Sequence, residues 1–168
     1  MNTIIRKQIS IHPEVMDLLN KQIAMEMHAS AAYLAMASWC DQRELLNSKE
    51  LFYKQAEEER EHAMKFFTFI NDNGGAAISP SIDSVNNDFE SLKAIYEKSL
   101  DQEIAVSDSI KKIFKKARTE DDFVTEVFLQ WFITEQAEEE DKFRSIIDIF
   151  DLMEGMPLKM IDERIPTE

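Results

Sequence analysis

The amino-acid sequence predicts an all-α protein in which four long helices form a bundle. Glycine and proline are scarce, at 3 and 4 of 168 residues, which favours long helices over strands and turns. Apolar residues also recur at heptad spacing through four long segments, which is typical of helices that bury one face. With 44% hydrophobic residues, the chain is long enough to form a single domain, residues 1–168, with a substantial core.

The first two helices are predicted from signals at their ends. The first runs from about Pro13 to Asp41, and proline suits the first turn of a helix. The second runs from about Ser48 to Asn73 and stops at Gly74-Gly75. Asn47 and Glu50 have the spacing of a capping box, so we expect Asn47 to cap the second helix.

The third and fourth helices follow after a long connection. The third is expected over about Ser91 to Ala117. The fourth begins after Thr119, with Asp122 three residues on, and it stops before Gly155. The tail from Pro157 to Ile165 predicts one short C-terminal fifth helix.

The lengths of the connections determine the predicted topology. Short turns join the first helix to the second and the third to the fourth, so each pair should form an antiparallel hairpin. Between the hairpins lies Gly74 to Glu90, which could extend about 55 Å, whereas a helix of about 27 residues spans about 40 Å. A long crossover between the second and third helices therefore permits the second hairpin to repeat the first in the same orientation.

Polar residues interrupt each of the four apolar stripes near its middle. Glu26 precedes Glu59 by 33 residues, and Glu103 precedes Gln136 by the same 33 residues. A further polar residue follows at +3 in each second helix. In two stacked hairpins, six side chains therefore meet at one level of the bundle interior: Glu26, Glu59, His62, Glu103, Gln136 and Glu139.

A buried cluster of four carboxylates needs a counter-charge, because burying unpaired charges is prohibitively costly. We expect no lysine or arginine in the stripes at this level. Two divalent cations would neutralise the cluster, and carboxylates with an imidazole suit iron better than a structural zinc site. The alternatives are residues at the edge of the core, or protonation of one or two carboxyl groups.

The net charge of −14 makes cations the natural partners of this chain. Nucleic acid and an anionic membrane surface are not expected to bind it. The single cysteine, Cys40, allows no internal disulfide and fits a reducing compartment. The start, MNTIIRKQIS, lacks the apolar segment of a signal peptide, so we expect a cytoplasmic protein.

Three segments resemble those of the non-haem bacterial ferritins, which belong to the ferritin-like di-iron family. They are LLNKQIAMEMHASAAYLAMASWC, QAEEEREHAMKFF and FLQWFITEQAEEEDKF, and with the short tail the resemblance covers nearly the whole chain. It implies an iron storage protein with ferroxidase activity, which oxidises Fe(II) to Fe(III) with O2 or H2O2. It also implies a shell of 24 subunits that stores the ferric mineral, and no haem.

The resemblance implies a role for each residue of the cluster. Glu26, Glu59 and His62 would hold one iron, and Glu59 would bridge to a second. The other ligands of the second iron would be Glu103 and Glu139. Gln136 would hydrogen-bond a bound oxygen species or a ligand.

Two further features are implied beside the di-iron centre. Tyr33 matches the family's redox-active tyrosine, although a core tyrosine with a satisfied hydroxyl is the alternative. Glu58, Glu135 and Glu138 match a cluster that shares Glu139 and would bind a third iron; the alternative is a solvated acidic face.

Other functions remain open at this point. A haem-containing bacterioferritin would have a methionine directly after the bridging glutamate, where this chain has Arg60. A rubrerythrin-type peroxidase needs a CxxC pair, and a mini-ferritin would build its iron site between subunits. A non-enzymatic helical bundle acting in protein interactions would bind no stoichiometric metal.

Overall fold

The computed structural model describes residues 9–167, which form five α-helices and no β-strand. The helices are α1 (Pro13–Asp41), α2 (Leu46–Asp72), α3 (Leu92–Thr119), α4 (Phe123–Leu152) and α5 (Leu158–Asp162). This confirms the all-α prediction and the short fifth helix. None of the described helices is both long and apolar enough to span a lipid bilayer. The first eight residues, which begin the segment compared with a signal peptide, lie outside the described range.

The two hairpins point in opposite directions, so the predicted common orientation is wrong. The α3–α4 turn lies at the start of α1, where Asp122 bonds His12, and the α1–α2 turn lies at the other end of the bundle. α1 packs along α2, and α3 packs along α4. Phe52 of α2 lies against Phe143 of α4, and Phe66 lies against Phe132, so α2 and α4 are antiparallel. Because α3 and α4 are also antiparallel, α2 and α3 run in the same direction.

Residues 73–91 return the chain along α1. Near the start of this crossover, the side chain of Asn20 accepts a hydrogen bond from the N–H of Ile78 at 2.8 Å. Near its end, the ring of Phe89 meets the edge of Trp39 with centroids 6.3 Å apart. Asn20 and Trp39 are about 28 Å apart along α1 at 1.5 Å per residue, so the crossover covers most of that helix.

The capping box predicted for α2 is wrong. The helix begins at Leu46, and its first N–H groups are satisfied by the buried carboxylate of Asp162 in α5. Asp162 accepts hydrogen bonds from the N–H of Asn47 at 3.1 Å, and from the N–H and hydroxyl of Ser48 at 2.9 and 2.6 Å. A distant acid therefore caps α2 and holds α5 against the bundle.

The predicted start of α4 is also wrong by three residues. Thr119 is the last residue of α3, and its hydroxyl donates to the carbonyl of Lys115 at 2.9 Å. Asp122 is the cap of α4 and accepts a hydrogen bond from the N–H of Thr125 at 3.0 Å. Asp122 also accepts from the N–H of His12 at 2.9 Å, which ties the start of α1 to this end of the bundle.

The core consists of two apolar clusters separated by a polar layer. One cluster includes Phe52, Tyr96 and Phe143, and the other includes Leu19 and Phe66. The six polar residues predicted to share one level lie between the two clusters and are all buried.

Candidate metal centre

The polar layer takes half of its side chains from each hairpin. Glu26 of α1 and two residues of α2 belong to the first hairpin, while one residue of α3 and two of α4 belong to the second. All six are at most 3% exposed: Glu26, Glu59, His62, Glu103, Gln136 and Glu139. The structure therefore confirms their predicted burial.

Glu26, Glu59 and His62 form a group that could hold a metal ion. One ligand atom from each residue lies within 4.8 Å of the others. Within residues 9–167, Glu26 Oε2 and His62 Nδ1 have no hydrogen-bond partner. Buried polar atoms without partners are costly, and a divalent cation bound between them would satisfy both.

Neighbouring side chains hold these ligands in position. Gln22 donates from Nε2 to Glu26 Oε1 at 2.8 Å, so the other oxygen of Glu26 is left for a cation. The edges of Trp131 and Phe132 meet the ring of His62, with centroids 5.5 and 5.9 Å apart. Gln22 was not singled out from the sequence, although it precedes Glu26 by one helical turn.

Glu103 lies on the opposite hairpin and is fully hydrogen-bonded. The hydroxyl of Tyr33 donates to its Oε1, and Gln136 Nε2 donates to its Oε2 at 3.0 Å. The ring of Tyr33 stacks against Phe52 and Phe143. The structure thus places both Tyr33 and Gln136 beside the cluster, while their roles in a reaction stay predictions.

Glu139 has a cationic partner that the sequence reading did not expect. Lys142 Nζ lies 2.8 and 2.9 Å from the two carboxylate oxygens of Glu139, and 3.1 Å from Gln55 Oε1. Gln55 Nε2 also donates to Glu139 Oε2 at 2.7 Å. The expectation concerned only the stripes, and Lys142 lies outside them. Its long side chain nevertheless brings a positive charge to this level.

The acids predicted to form a third site have separate surroundings. Glu58 Oε2 is 3.6 Å from Lys142 Nζ, Glu135 Oε1 is 3.8 Å from His62 Nε2, and Glu138 is exposed. Within residues 9–167, they do not converge as the three ligands of the first group do. A third iron site stays a prediction.

The cluster carries an electrostatic cost without metal. Burial raises the pKa of Glu26 well above its ordinary value, and the nearby charge of Glu59 adds to the rise. Burial and the same charge raise the pKa of Glu103 to about 8. Burial, and then the charge of Glu103, raise the pKa of the Tyr33 hydroxyl. A divalent cation would remove this cost by compensating the carboxylate charges.

Comparisons with known proteins find similar chains over most of the length of this one. A family model described as a ferritin-like domain matches residues 16–153. A bacterial non-heme ferritin of Campylobacter jejuni is 35% identical over 154 residues, which cover 90% of this chain and 92% of that protein. A probable bacterial non-heme ferritin-like protein of Haemophilus influenzae is 34% identical, with 89% and 92% covered. An open pore ferritin of Archaeoglobus fulgidus superposes with a TM-score of 0.89 at 31% identity, covering 93% of this chain and 96% of that one.

Proposed function

The chain belongs to the ferritin-like domain family, and on this premise we propose that it stores iron after oxidising Fe(II) at the buried polar layer. One observation carries the proposal: Glu26, Glu59 and His62 converge in the core with two ligand atoms that lack partners. Iron is the substrate of this reaction. The proposal takes residues 1–168 as one domain acting in the cytoplasm without haem.

The donor set suits the oxidation of iron. Carboxylate oxygens are hard ligands and favour Fe(III) over Fe(II), so binding lowers the free energy of the oxidised product. Glu59 would contact both irons, with Glu26 and His62 on one side and Glu103 and Glu139 on the other. Two Fe(II) ions supply two electrons, which reduce O2 with two protons to H2O2, or reduce H2O2 with two protons to two waters.

Two neighbours of Glu103 would position groups at the centre. Gln136 donates a hydrogen bond from Nε2 to Glu103. When iron binds Glu103, the side-chain amide of Gln136 would turn toward a ligand of that iron. The Tyr33 hydroxyl donates to the same carboxylate and would supply an electron when fewer than two Fe(II) ions are bound. Both roles follow the resemblance stated above.

We propose a shell of 24 subunits for mineral storage. The support in this chain is a set of large apolar side chains that a single subunit leaves in water, which is typical of surfaces that bind other subunits. Exposed fractions reach 64% for Phe123, 65% for Val127 and 50% for Leu34. The net charge of −14 would attract Fe(II) to such a particle.

The haem alternative would need a methionine directly after Glu59. Arg60 follows Glu59 directly, is exposed, and forms an ion pair with Glu57 at 3.2 Å. An isolated protein with a Soret band would nevertheless revive this alternative.

An aerobic titration of metal-free protein with Fe(II) tests the proposal. Absorbance of Fe(III) should rise rapidly and reach a first plateau at about two irons per subunit, and particle size measured in parallel should correspond to 24 subunits. Oxidation no faster than in protein-free buffer would reject the ferroxidase activity. A helical protein that also binds no stoichiometric metal would favour the interaction-protein alternative.

A further inference from the structure

Lys142 places a positive charge at the point where the second iron would bind. Its Nζ contacts both carboxylate oxygens of Glu139, at 2.8 and 2.9 Å, and Gln55 Oε1 at 3.1 Å. Gln55 also donates to Glu139 Oε2 at 2.7 Å. Both oxygens of Glu139 are therefore occupied by donors from the chain itself.

The two halves of the metal centre consequently differ before any metal arrives. In the first half, Glu26 Oε2 and His62 Nδ1 have no hydrogen-bond partner within the described residues, and Glu59 Oε2 lies 3.6 Å from His62 Nδ1. In the second half, donors engage Glu103 as well as Glu139. A first cation binds ligand atoms that have no hydrogen bond to lose, whereas a second cation must displace hydrogen bonds and an ammonium group.

We infer that Lys142 is a built-in competitor for the second iron, which binds only after the ammonium group leaves Glu139. The inference rests on the proposed function and adds an order to it, because the two metal positions fill in sequence rather than together. Lys142 acts as a positioning residue through Glu139 and contacts no substrate itself.

The surroundings favour movement of Lys142 over movement of Glu139. The side chain of Glu139 is only 5% exposed, so its carboxylate lies in the core. The side chain of Lys142 is 30% exposed and lines a surface pocket of about 40 Å³ together with Leu51, Lys54 and Thr167. Glu58 borders the same pocket with its Oε2 3.6 Å from Lys142 Nζ, so it offers the displaced ammonium group a second carboxylate.

Calorimetric titration of the metal-free assembled protein with Co(II) tests this inference without any oxidation. Wild-type protein should bind two ions per subunit with clearly different affinities. Lys142→Met should leave the first binding event unchanged and tighten the second at least tenfold. Lys142→Arg, which keeps the charge, should resemble wild type.

Arg144→Met is the matched control for net charge. Arg144 lies on the same helix, pairs with Glu140 at 3.3 Å and is 52% exposed, so its loss should leave both affinities within about twofold. Lys142→Gln is made in parallel, so that a folding failure of Lys142→Met does not end the test. Circular dichroism establishes that each variant is helical.

Three results would overturn the inference. In the first, the affinity for the second Co(II) ion stays unchanged when the charge of Lys142 is removed. In the second, that affinity weakens. In the third, the affinities for both ions tighten equally, as a general effect of net charge would require. All three leave the proposed function standing, because metal still binds. Absence of Co(II) binding to wild-type protein would overturn the proposed function and the inference together.

Discussion

Replacing Glu103 by glutamine should stabilise the metal-free protein at pH 8 while removing a proposed ligand of the second iron. Glutamine has nearly the shape of a protonated carboxyl group but cannot ionise. Its amide can also hydrogen-bond both neighbours of Glu103 when the side-chain amide of Gln136 turns over to accept. The variant therefore isolates the charge of one buried carboxylate.

The size of the effect follows from the raised pKa of Glu103, about 8 against an ordinary value of 4.5. Between these values the folded protein holds a proton that the unfolded chain has lost, so stability falls as pH rises and levels off above pH 8. At about 1.4 kcal/mol per pH unit, the loss between pH 5.5 and 8 is about 3 kcal/mol. Glutamine removes this loss, which corresponds to a melting temperature higher by roughly 6–12 °C at pH 8.

Thermal unfolding of chelator-treated protein at pH 5.5 and pH 8 measures the difference. Glu103→Gln should gain much more over wild type at pH 8 than at pH 5.5. Glu61→Gln, an exposed carboxylate on α2, should change the melting temperature little at either pH. A gain of equal size at both pH values, or a lower melting temperature at pH 8, would refute the electrostatic reasoning.

Three other substitutions have clear expected outcomes. Glu59→Ala should abolish rapid Fe(II) oxidation with helical circular dichroism retained, and unchanged stopped-flow kinetics would reject Glu59 as a bridge. If a third site exists, iron stoichiometry or turnover should change when glutamine replaces Glu58, Glu135 and Glu138; identical titrations would make them surface acids. Asp162→Ala should cost about 2–3 kcal/mol, because three donors at the start of α2 lose a buried acceptor, and a denaturant midpoint equal to wild type would contradict this.

Most of the topology could be predicted from the sequence because it depends on local patterns and lengths. Heptad spacing indicated which helix faces are buried, and the crossover was long enough to run along the bundle. The direction of the second hairpin was predicted wrongly, because a crossover that runs the length of the bundle makes α3 antiparallel to α1. Helix ends were harder to predict, because a cap can come from anywhere in the chain. Asp162 caps α2 from 114 positions away, and no pattern near Asn47 could reveal that.

The candidate centre could be predicted only as far as backbone positions allow. The stripes placed the α-carbons of all six polar residues at one level, and the structure confirms that they are buried. Stripe counting does not show where a long side chain ends. Lys142 lies outside the stripe, one turn after Glu139, yet its ammonium group reaches that carboxylate, and Gln22 and Gln55 were overlooked as donors for a similar reason.

The residues proposed to hold the two cations come from different hairpins, and this has a mechanical consequence. Glu26, Glu59 and His62 all belong to the first hairpin. A cation held by these three residues would therefore link α1 to α2 and make no bond to the second hairpin. A cation that also engages Glu103 and Glu139 joins two halves whose covalent link is the crossover 73–91. Parting of the hairpins would then eject the second ion and retain the first, so the exchange rate of a single metal ion would report how often this bundle opens.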